Sequence, residues 1–332
     1  MISRTKFEIA ENTLVTLFEK AGITGVEEVR ELGAGEFNAV YSAKADGREY
    51  AVKIAPGPEN SVLTFEKDML GAEVFWYERI REHTNIRVPD VYYTDYSKEL
   101  IPTSYFIMEK LNGIQLDEME LSEEEQRDAA TQMAEMAAQI HKIKNDKYGY
   151  VQTGLHGDWY QAIRAIVVQV LKDVAAMNER TERGERLLSY IDQYKEILKK
   201  AECVMVNFDI FTPNIIGEKK GEKIMYSWID PERSFWGDRV ADFVALEMFL
   251  PLAEKKTTLE AYNKVADAPV LVTREESIRY AIMVGYLAVI MDVEKHFRYR
   301  PELEGWKRNE ACSTVLYDQA FDILEKGISE IH

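Results

Sequence analysis

Two short segments in the second half of the chain carry carboxylates and an amide at spacings suited to phosphate and a hard cation. In Val206-Asn207-Phe208-Asp209-Ile210-Phe211-Thr212-Pro213-Asn214 a strand-like start turns polar, with Asp209 five residues before Asn214. A carboxylate at Asp209 can accept a hydrogen bond from an attacking hydroxyl, and the Asn214 amide oxygen can face Mg2+. The plainer reading is an Asx-turn loop, because Asp and Asn bond readily to their own backbone. In Trp228-Ile229-Asp230-Pro231-Glu232 an acidic pair stands at another strand end. Carboxylate oxygen suits a cation bridging phosphates, so Asp230 is the main metal-ligand candidate and Glu232 a supporting or substrate-facing group. Asp242, in Gly237-Asp238-Arg239-Val240-Ala241-Asp242-Phe243, precedes an apolar helical run and reads as a loop brace or helix cap.

Two earlier features belong to the same chemistry. Gly33-Ala34-Gly35-Glu36-Phe37-Asn38 lets a backbone approach phosphate closely, with Gly33 and Gly35 as the contact points. A dinucleotide fingerprint needs a helix straight after such glycines, and a Walker A loop needs Gly-Lys-Ser/Thr. Here strand-like Ala39-Val40-Tyr41-Ser42 follows, which leaves a glycine-rich hairpin lying over a nucleotide. Lys53, inside Tyr50-Ala51-Val52-Lys53-Ile54, is either on a solvated strand face or a phosphate-binding lysine. In the second case its head needs an anionic partner. Glu66, Glu73 and Glu78 lie on the segment read as the next helix; Glu73 is favoured, with Val74, Phe75 and Tyr77 around it, and Glu66 is the rival.

The elements that must position these groups follow from periodicity. Residues 5–21 have helical spacing, and three strands follow over 26–54, with Asp46-Gly47 as a hairpin turn. A helix is expected over 62–82 and strands at Val91-Tyr92-Tyr93 and Ser104–Met108. Beyond the Asn112-Gly113 turn the pattern becomes helical. Ser122 with Glu125 and Thr273 with Glu276 are capping boxes, and helices are expected over 159–176 and 180–200. Val204–Asn207 and Tyr226–Ile229 read as short strands. The expectation is an α+β chain with a β-rich nucleotide-binding lobe over residues 1–110, holding one main helix, and a mostly helical catalytic and substrate-binding lobe over 111–332.

Taken in order, these motifs resemble the aminoglycoside phosphotransferase and choline kinase family, relatives of the protein kinases. The resemblance runs from about Leu32 to Phe243 and rests on D-x-x-x-x-N at 209–214, I-D-P-E at 229–232 and G-D-x-x-x-D at 237–242, behind the hairpin, Lys53 and a hinge-like Phe106–Gly113 stretch. It implies a bilobal protein kinase-like fold. It implies an ATP- and Mg-dependent phosphotransferase acting on a hydroxyl of a small molecule, such as an aminoglycoside or another antibiotic, with GTP as an alternative nucleotide. Asp209 would be the catalytic aspartate, Asn214 and Asp230 would hold magnesium, Lys53 would contact phosphate and pair with Glu73, and backbone groups of Glu109 and Leu111 would meet adenine. The family's loop usually has His two residues before the aspartate and often two after; here Asn207 and Phe211 stand there. Leu155-His156-Gly157-Asp158 imitates the family's H-G-D, but Ile163 stands five residues past Asp158, so this is read as a helix start. His141 reads as structural.

Composition narrows the partners. Lys and Arg number 41 against 58 Asp and Glu, a net charge of −17, which repels a nucleic-acid backbone; it would attract a cationic substrate, but the plainer reading is that it keeps the protein soluble, so charge alone decides little about substrate. Glu232, Glu247, Asp292 and Glu294 are candidates to meet such a substrate. Two cysteines, Cys203 and Cys312, make neither a disulfide framework nor a zinc pattern. No secretory signal or spanning segment is read, so the cytoplasm is the expected location. Two other readings stay beside the first: a nucleotide-binding pseudokinase or regulatory protein, and a kinase of a metabolite such as choline or a sugar. A protein kinase proper is set aside because H-R-D, D-F-G and A-P-E are missing.

Overall fold

The computed structural model describes residues 6–32 and 37–325, so the expected phosphate contacts at Gly33 and Gly35 lie outside the described residues. The N-terminal part is a five-stranded antiparallel sheet in the order β1-β2-β3-β5-β4. Its strands are β1 (Glu27–Glu31), β2 (Ala39–Ala45), β3 (Arg48–Ile54), β4 (Val91–Asp95) and β5 (Tyr105–Glu109). Asp46 and Gly47 both take positive φ at the two-residue β2–β3 turn, as that hairpin requires. One face of the sheet packs Val52, Ile54 and Ile107 against Leu14, Leu17 and Phe18 of α1 (Glu11–Lys20). The other carries Ala51, Phe106 and Met108 towards Trp76, Tyr77 and Ile80 of α2 (Met69–His83). Alternation along β3 therefore turns Lys53 to the α2 side, away from water.

The expected helix over 62–82 is broken. A 3-10 turn, Thr64–Glu66, is separated from α2 by Asp68, whose φ of 57° is left-handed. Glu66 therefore stands on its own turn and not on the helix with Glu73. Among the polar ties of this turn, Asp173 accepts from the Thr64 N–H and hydroxyl, both at 2.7 Å.

After the sheet, β6 (Ile114–Gln115) pairs with the hairpin of β8 (Ile215–Lys220) and β9 (Lys223–Trp228). The short strands β7 (Val204–Val206) and β10 (Phe235–Gly237) pair antiparallel. The loops that follow β7 and β9 thereby share one end of this small β layer. Sequence periodicity missed β6, β8 and β10, which are short or mostly polar. The helices are α3 (Glu123–Ile140), α4 (Trp159–Ala176), α5 (Glu182–Gln193), α6 (Lys195–Leu198), α7 (Asp242–Ala245), α8 (Lys256–Val265), α9 (Arg274–Arg298) and α10 (Glu304–Glu325). The first capping box forms, with Ser122 and Glu125 exchanging bonds of 3.3 and 2.7 Å; at the second only the N-cap half is made, Thr273 Oγ1 accepting from Glu276 N at 3.2 Å while the Glu276 carboxylate accepts from Leu271 N at 3.0 Å and the Thr273 hydroxyl at 3.0 Å. Helix α9 is apolar almost all round and is clad by α10, α4 and α5. Among the described residues no helix is long and apolar enough to cross a membrane.

Gly113 joins the sheet to β6 with φ +105°, and a Cβ there would stand 2.3 Å from the Gly217 carbonyl oxygen. Substitution Gly113→Ala must strain the backbone and part β6 from β8. It is expected to cost about 1–3 kcal/mol in urea unfolding; an unchanged midpoint would contradict this account of the joint.

Candidate active site

Lys53 is the centre of the site. Its ammonium lies 2.7 Å from Glu73 Oε2, 2.7 Å from Asp230 Oδ1 and 3.0 Å from Glu232 Oε2, with only 4% of the side chain exposed. Each partner comes from a different piece of chain. Lys53 comes from β3, Glu73 from α2, and the two acids from the turn after β9. One helical turn past Glu73, the Tyr77 hydroxyl accepts the Asp230 N–H at 2.9 Å. Asn38, at the start of β2, donates to Glu232 Oε2 at 2.6 Å. Burial pushes the Glu73 carboxyl up, and Asp230 and Glu232 add to that push against Lys53. Burial likewise raises Glu232. Burial opposes the Lys53 charge, yet Asp230, Glu232 and Glu73 together hold its pKa well above the ordinary value. An ammonium among three carboxylates keeps its proton, and Glu73 and Glu232 take theirs up more easily.

The loop after β7 brings Asp209 and Asn214 to the same place. Asn214 Nδ2 donates to the Asp209 carbonyl at 3.0 Å and to its Oδ2 at 3.1 Å. The Ile229 N–H donates to the Asn214 carbonyl at 2.9 Å, which ties the Asp209 loop to the Asp230 turn. Burial pushes the Asp209 carboxyl up to about 6, against the pull of Arg233. Asn207, where the family usually has His, is fully buried; its Oδ1 accepts the Asp209 N–H at 3.0 Å and its Nδ2 donates to Ser234 at 3.1 Å. Asn207 thus braces the loop with both ends of its amide. Asp242, the first residue of α7, is the main brace. It accepts from Asn207 N at 3.1 Å, from Phe208 N at 2.5 Å and meets His141 Nε2 at 2.8 Å. His141 also meets the Tyr262 hydroxyl at 2.7 Å and is structural.

The remaining sequence candidates are more dispersed. The Glu109 N–H is used by the Asp90 carbonyl at 2.8 Å and its carboxylate by Arg87, while Leu111 follows β5 just outside the strand. Glu66 meets Arg298 and not Lys53. Glu294 is engaged by Arg298, Arg233 and Asn309. Glu247 accepts from Thr258, and Asp292 from Thr181 and Lys295. Asp158 caps α4 by accepting the Gln161 N–H at 2.8 Å, so that segment is the helix start expected of it. Asn38, Tyr77 and Arg233 were not singled out from the sequence. Asn38 closes the glycine-rich motif and Arg233 follows I-D-P-E, so their places gave a signal; Tyr77, four residues after Glu73, was read only as packing.

A metal fits this donor set. Glu73, Asp230 and Glu232 place one carboxylate oxygen each within 4.8 Å of one another. Asp230 keeps 34% of its side chain exposed. Among the described residues Lys53 is the one cation in ion-pair contact with these three acids, so the contact set, when all three are ionised, holds two more negative charges than positive. Carboxylate oxygens with one exposed member suit a hard divalent cation.

The family model for the phosphotransferase enzyme family matches residues 28–270, so the chain belongs to that family. It is accordingly a small-molecule phosphotransferase with an alcohol group as acceptor. No curated protein matches the sequence. The fold is similar to a candidate fructosamine-3-kinase from Haemophilus somnus 129PT, at 17% identity and TM-score 0.64, covering 95% of this chain and 97% of that one. It is similar to a thermostable mutant of aminoglycoside phosphotransferase APH(4)-Ia in a ternary complex with AMP-PNP and hygromycin B, at 15% identity and TM-score 0.59, covering 95% and 98%. A microcompartment-associated aminopropanol kinase shares 14% identity at TM-score 0.60, covering 94% and 98%. At these identities the likeness shows the expected bilobal α+β kinase-like fold.

Removing the Asp242 carboxylate strands two buried N–H donors and a histidine nitrogen. Asp242→Ala is expected to lose on the order of 3 kcal/mol or more in chemical denaturation, at about 1–3 kcal/mol for each unsatisfied donor. A loss below 1 kcal/mol would show that the loop holds its shape by packing alone.

Proposed function

We propose that the chain moves the γ-phosphate of Mg-ATP to an alcohol hydroxyl of a small molecule, with GTP as a possible substitute for ATP. The observation that carries this reading is the joining of Lys53, Glu73 and Asp230 within one buried contact set, with Asp209 and Asn214 tied to the Asp230 turn by backbone. Lys53, held by Glu73, would contact the α- and β-phosphates, and Gly33 and Gly35 would cover them. Backbone groups of Glu109 and Leu111 would meet the adenine. Asp230 and Asn214 would hold Mg2+; the Asn214 amide nitrogen already points to Asp209, which leaves its oxygen for a cation. The bound metal would neutralise phosphate charge.

The acceptor oxygen bonds the γ-phosphorus as the bond to the bridging oxygen breaks, ADP leaves, and the hydroxyl proton passes to Asp209 and on to water. Positioning and charge neutralisation dominate such a transfer, so Asp209 orients the hydroxyl more than it needs to be a strong base. The division into a nucleotide-binding lobe over 1–110 and a substrate-binding lobe over 111–332 fits this use of the sheet and the helical part. A cytoplasmic location suits an ATP-consuming reaction. A cationic acceptor has weak support, because Glu232 and Glu294 are already engaged by cations of the protein.

Purified protein should release ADP from Mg-ATP when given the right alcohol. Asp230→Ala should abolish this release. Asp209→Ala should lower kcat by about 100-fold or more while nucleotide affinity, measured by calorimetry, stays within a few-fold. Near-normal turnover in Asp209→Ala would overturn the role given to that residue.

A further inference from the structure

Arg233 ends the 3-10 turn Pro231–Arg233, three residues after Asp230. Only 15% of its side chain is exposed, yet among the described residues its one ion pair is Nη2 to Glu294 Oε2 at a long 3.3 Å. A guanidinium carries five N–H donors in a rigid fork. Among the described residues no second hydrogen bond to Arg233 is made. Glu294 does not depend on it, since Arg298 lies 3.2 Å away and Asn309 donates to the other oxygen at 2.9 Å. Arg298 in turn is committed to Glu66, with Phe37 over its guanidinium at 5.4 Å. Arg233 is therefore a largely sequestered cation whose fork is mostly unused.

Its surroundings place it at the acceptor end of the site. Ser234, the next residue, accepts from Asn207 Nδ2 at 3.1 Å, and Asn207 Oδ1 accepts the Asp209 N–H at 3.0 Å, so the Arg233 turn is tied to the Asp209 loop; Arg233 also pulls on the Asp209 carboxyl. Asp209 lies beyond ion-pairing distance, so the fork is not spent on the residue that would meet the hydroxyl. Phe37, which follows the glycine-rich segment, stands over the neighbouring Arg298. A hydroxyl brought to Asp209 thus arrives beside an under-used arginine. A polycation would meet that arginine's repulsion, while a carboxylate or phosphate would take up its free donors in a bidentate pair.

We propose that Arg233 recognises an anionic group on the acceptor, so that the substrate is a small alcohol bearing a carboxylate or phosphate. This rests on the phosphotransfer reading above. It concerns the acceptor alone and leaves the nucleotide chemistry as described. The guanidinium selects by geometry as well as charge, so lysine does not replace it.

The test is ADP release from Mg-ATP with glycerol 3-phosphate and D-glycerate as anionic alcohols, glycerol as the neutral match, and choline and kanamycin as cations. Wild type, Arg233→Gln and Arg233→Lys are compared after thermal melting shows all three folded. The expected result is turnover with an anionic alcohol, with KM raised about tenfold or more in Arg233→Gln and kcat changed much less; loss of one charge-assisted bidentate contact has this size. Arg233→Lys should recover only part of the loss, and the KM for glycerol should not rise with the substitution. A fall in kcat for every acceptor alike would assign the fork to the transferring phosphoryl group and overturn the proposal. So would preference for choline or kanamycin, which would leave phosphotransfer itself intact. Calorimetric titration of glycerol 3-phosphate and D-glycerate into protein saturated with Mg-AMP-PNP gives a readout that needs no turnover. Saturable binding lost in Arg233→Gln supports the proposal, and no binding to wild type overturns it. Absence of ADP release with every acceptor, alongside such binding, would instead count against the phosphotransfer reading.

Discussion

Taking a lysine ammonium out of water costs several kcal/mol, and nearby carboxylates must offset it. Lys53 has three, and the folding of the surrounding chain can be understood as what that one contact set demands. The pleat of β3 turns Lys53 inward while Val52 and Ile54 pack the other face. Helix α2 must then lie across the sheet with Glu73 facing the ammonium, and its next turn presents Tyr77 to the Asp230 backbone. Asn38 ties the start of β2 to Glu232. Sheet, helix and the β9–β10 turn are thus held to one atom, and the repulsion among the acids keeps the arrangement short of positive charge. A phosphotransferase uses that imbalance well, because a divalent cation and a lysine are both wanted around phosphate.

The two loops at the site share a second constraint, which is strain. Phe208 takes φ +65° and Asp230 φ +62°, conformations that side-chain-bearing residues seldom adopt. Such backbones persist only when their surroundings over-determine them. Phe208 is held from above by the Tyr286 ring, stacked at 5.4 Å, and from below by the Asp242 carboxylate on its N–H. Asp230 is held by Tyr77 on its N–H and by Pro231 after it. The positive φ turns each chain sharply out of its strand, so the polar residues that follow the turn face one another rather than continuing the ladder.

Much of this architecture was legible in the chain. The Asp46-Gly47 turn, the alternation around Lys53, the Ser122–Glu125 capping box and the Thr273 N-cap are local signals, and each is found where expected. The weaker readings failed for physical reasons. Strands β6, β8 and β10 are short, and β8 ends in Glu218-Lys219-Lys220, so pairing and not hydrophobic alternation defines them. The break before α2 depends on Asp68 in a left-handed conformation, which periodicity cannot register. Choosing between Glu66 and Glu73 on spacing was a matter of packing neighbours. Glu66 finds its partner at Arg298, 232 residues further on, and no local pattern points to it.

The same distance effect explains why overall charge is a poor guide to an acceptor. A net charge of −17 describes the surface, which sets solubility and long-range attraction. Contact selectivity depends on which buried charges still have capacity after the protein's own pairs are made. Glu294, an obvious anion in the sequence, is engaged by Arg298 and Asn309, while Arg233 beside it retains most of its donors. The sign presented at short range can therefore be opposite to the sign of the whole chain. Long-range repulsion of an anionic acceptor is screened within about 10 Å at moderate salt, whereas a buried guanidinium acts at hydrogen-bond distance and is screened far less.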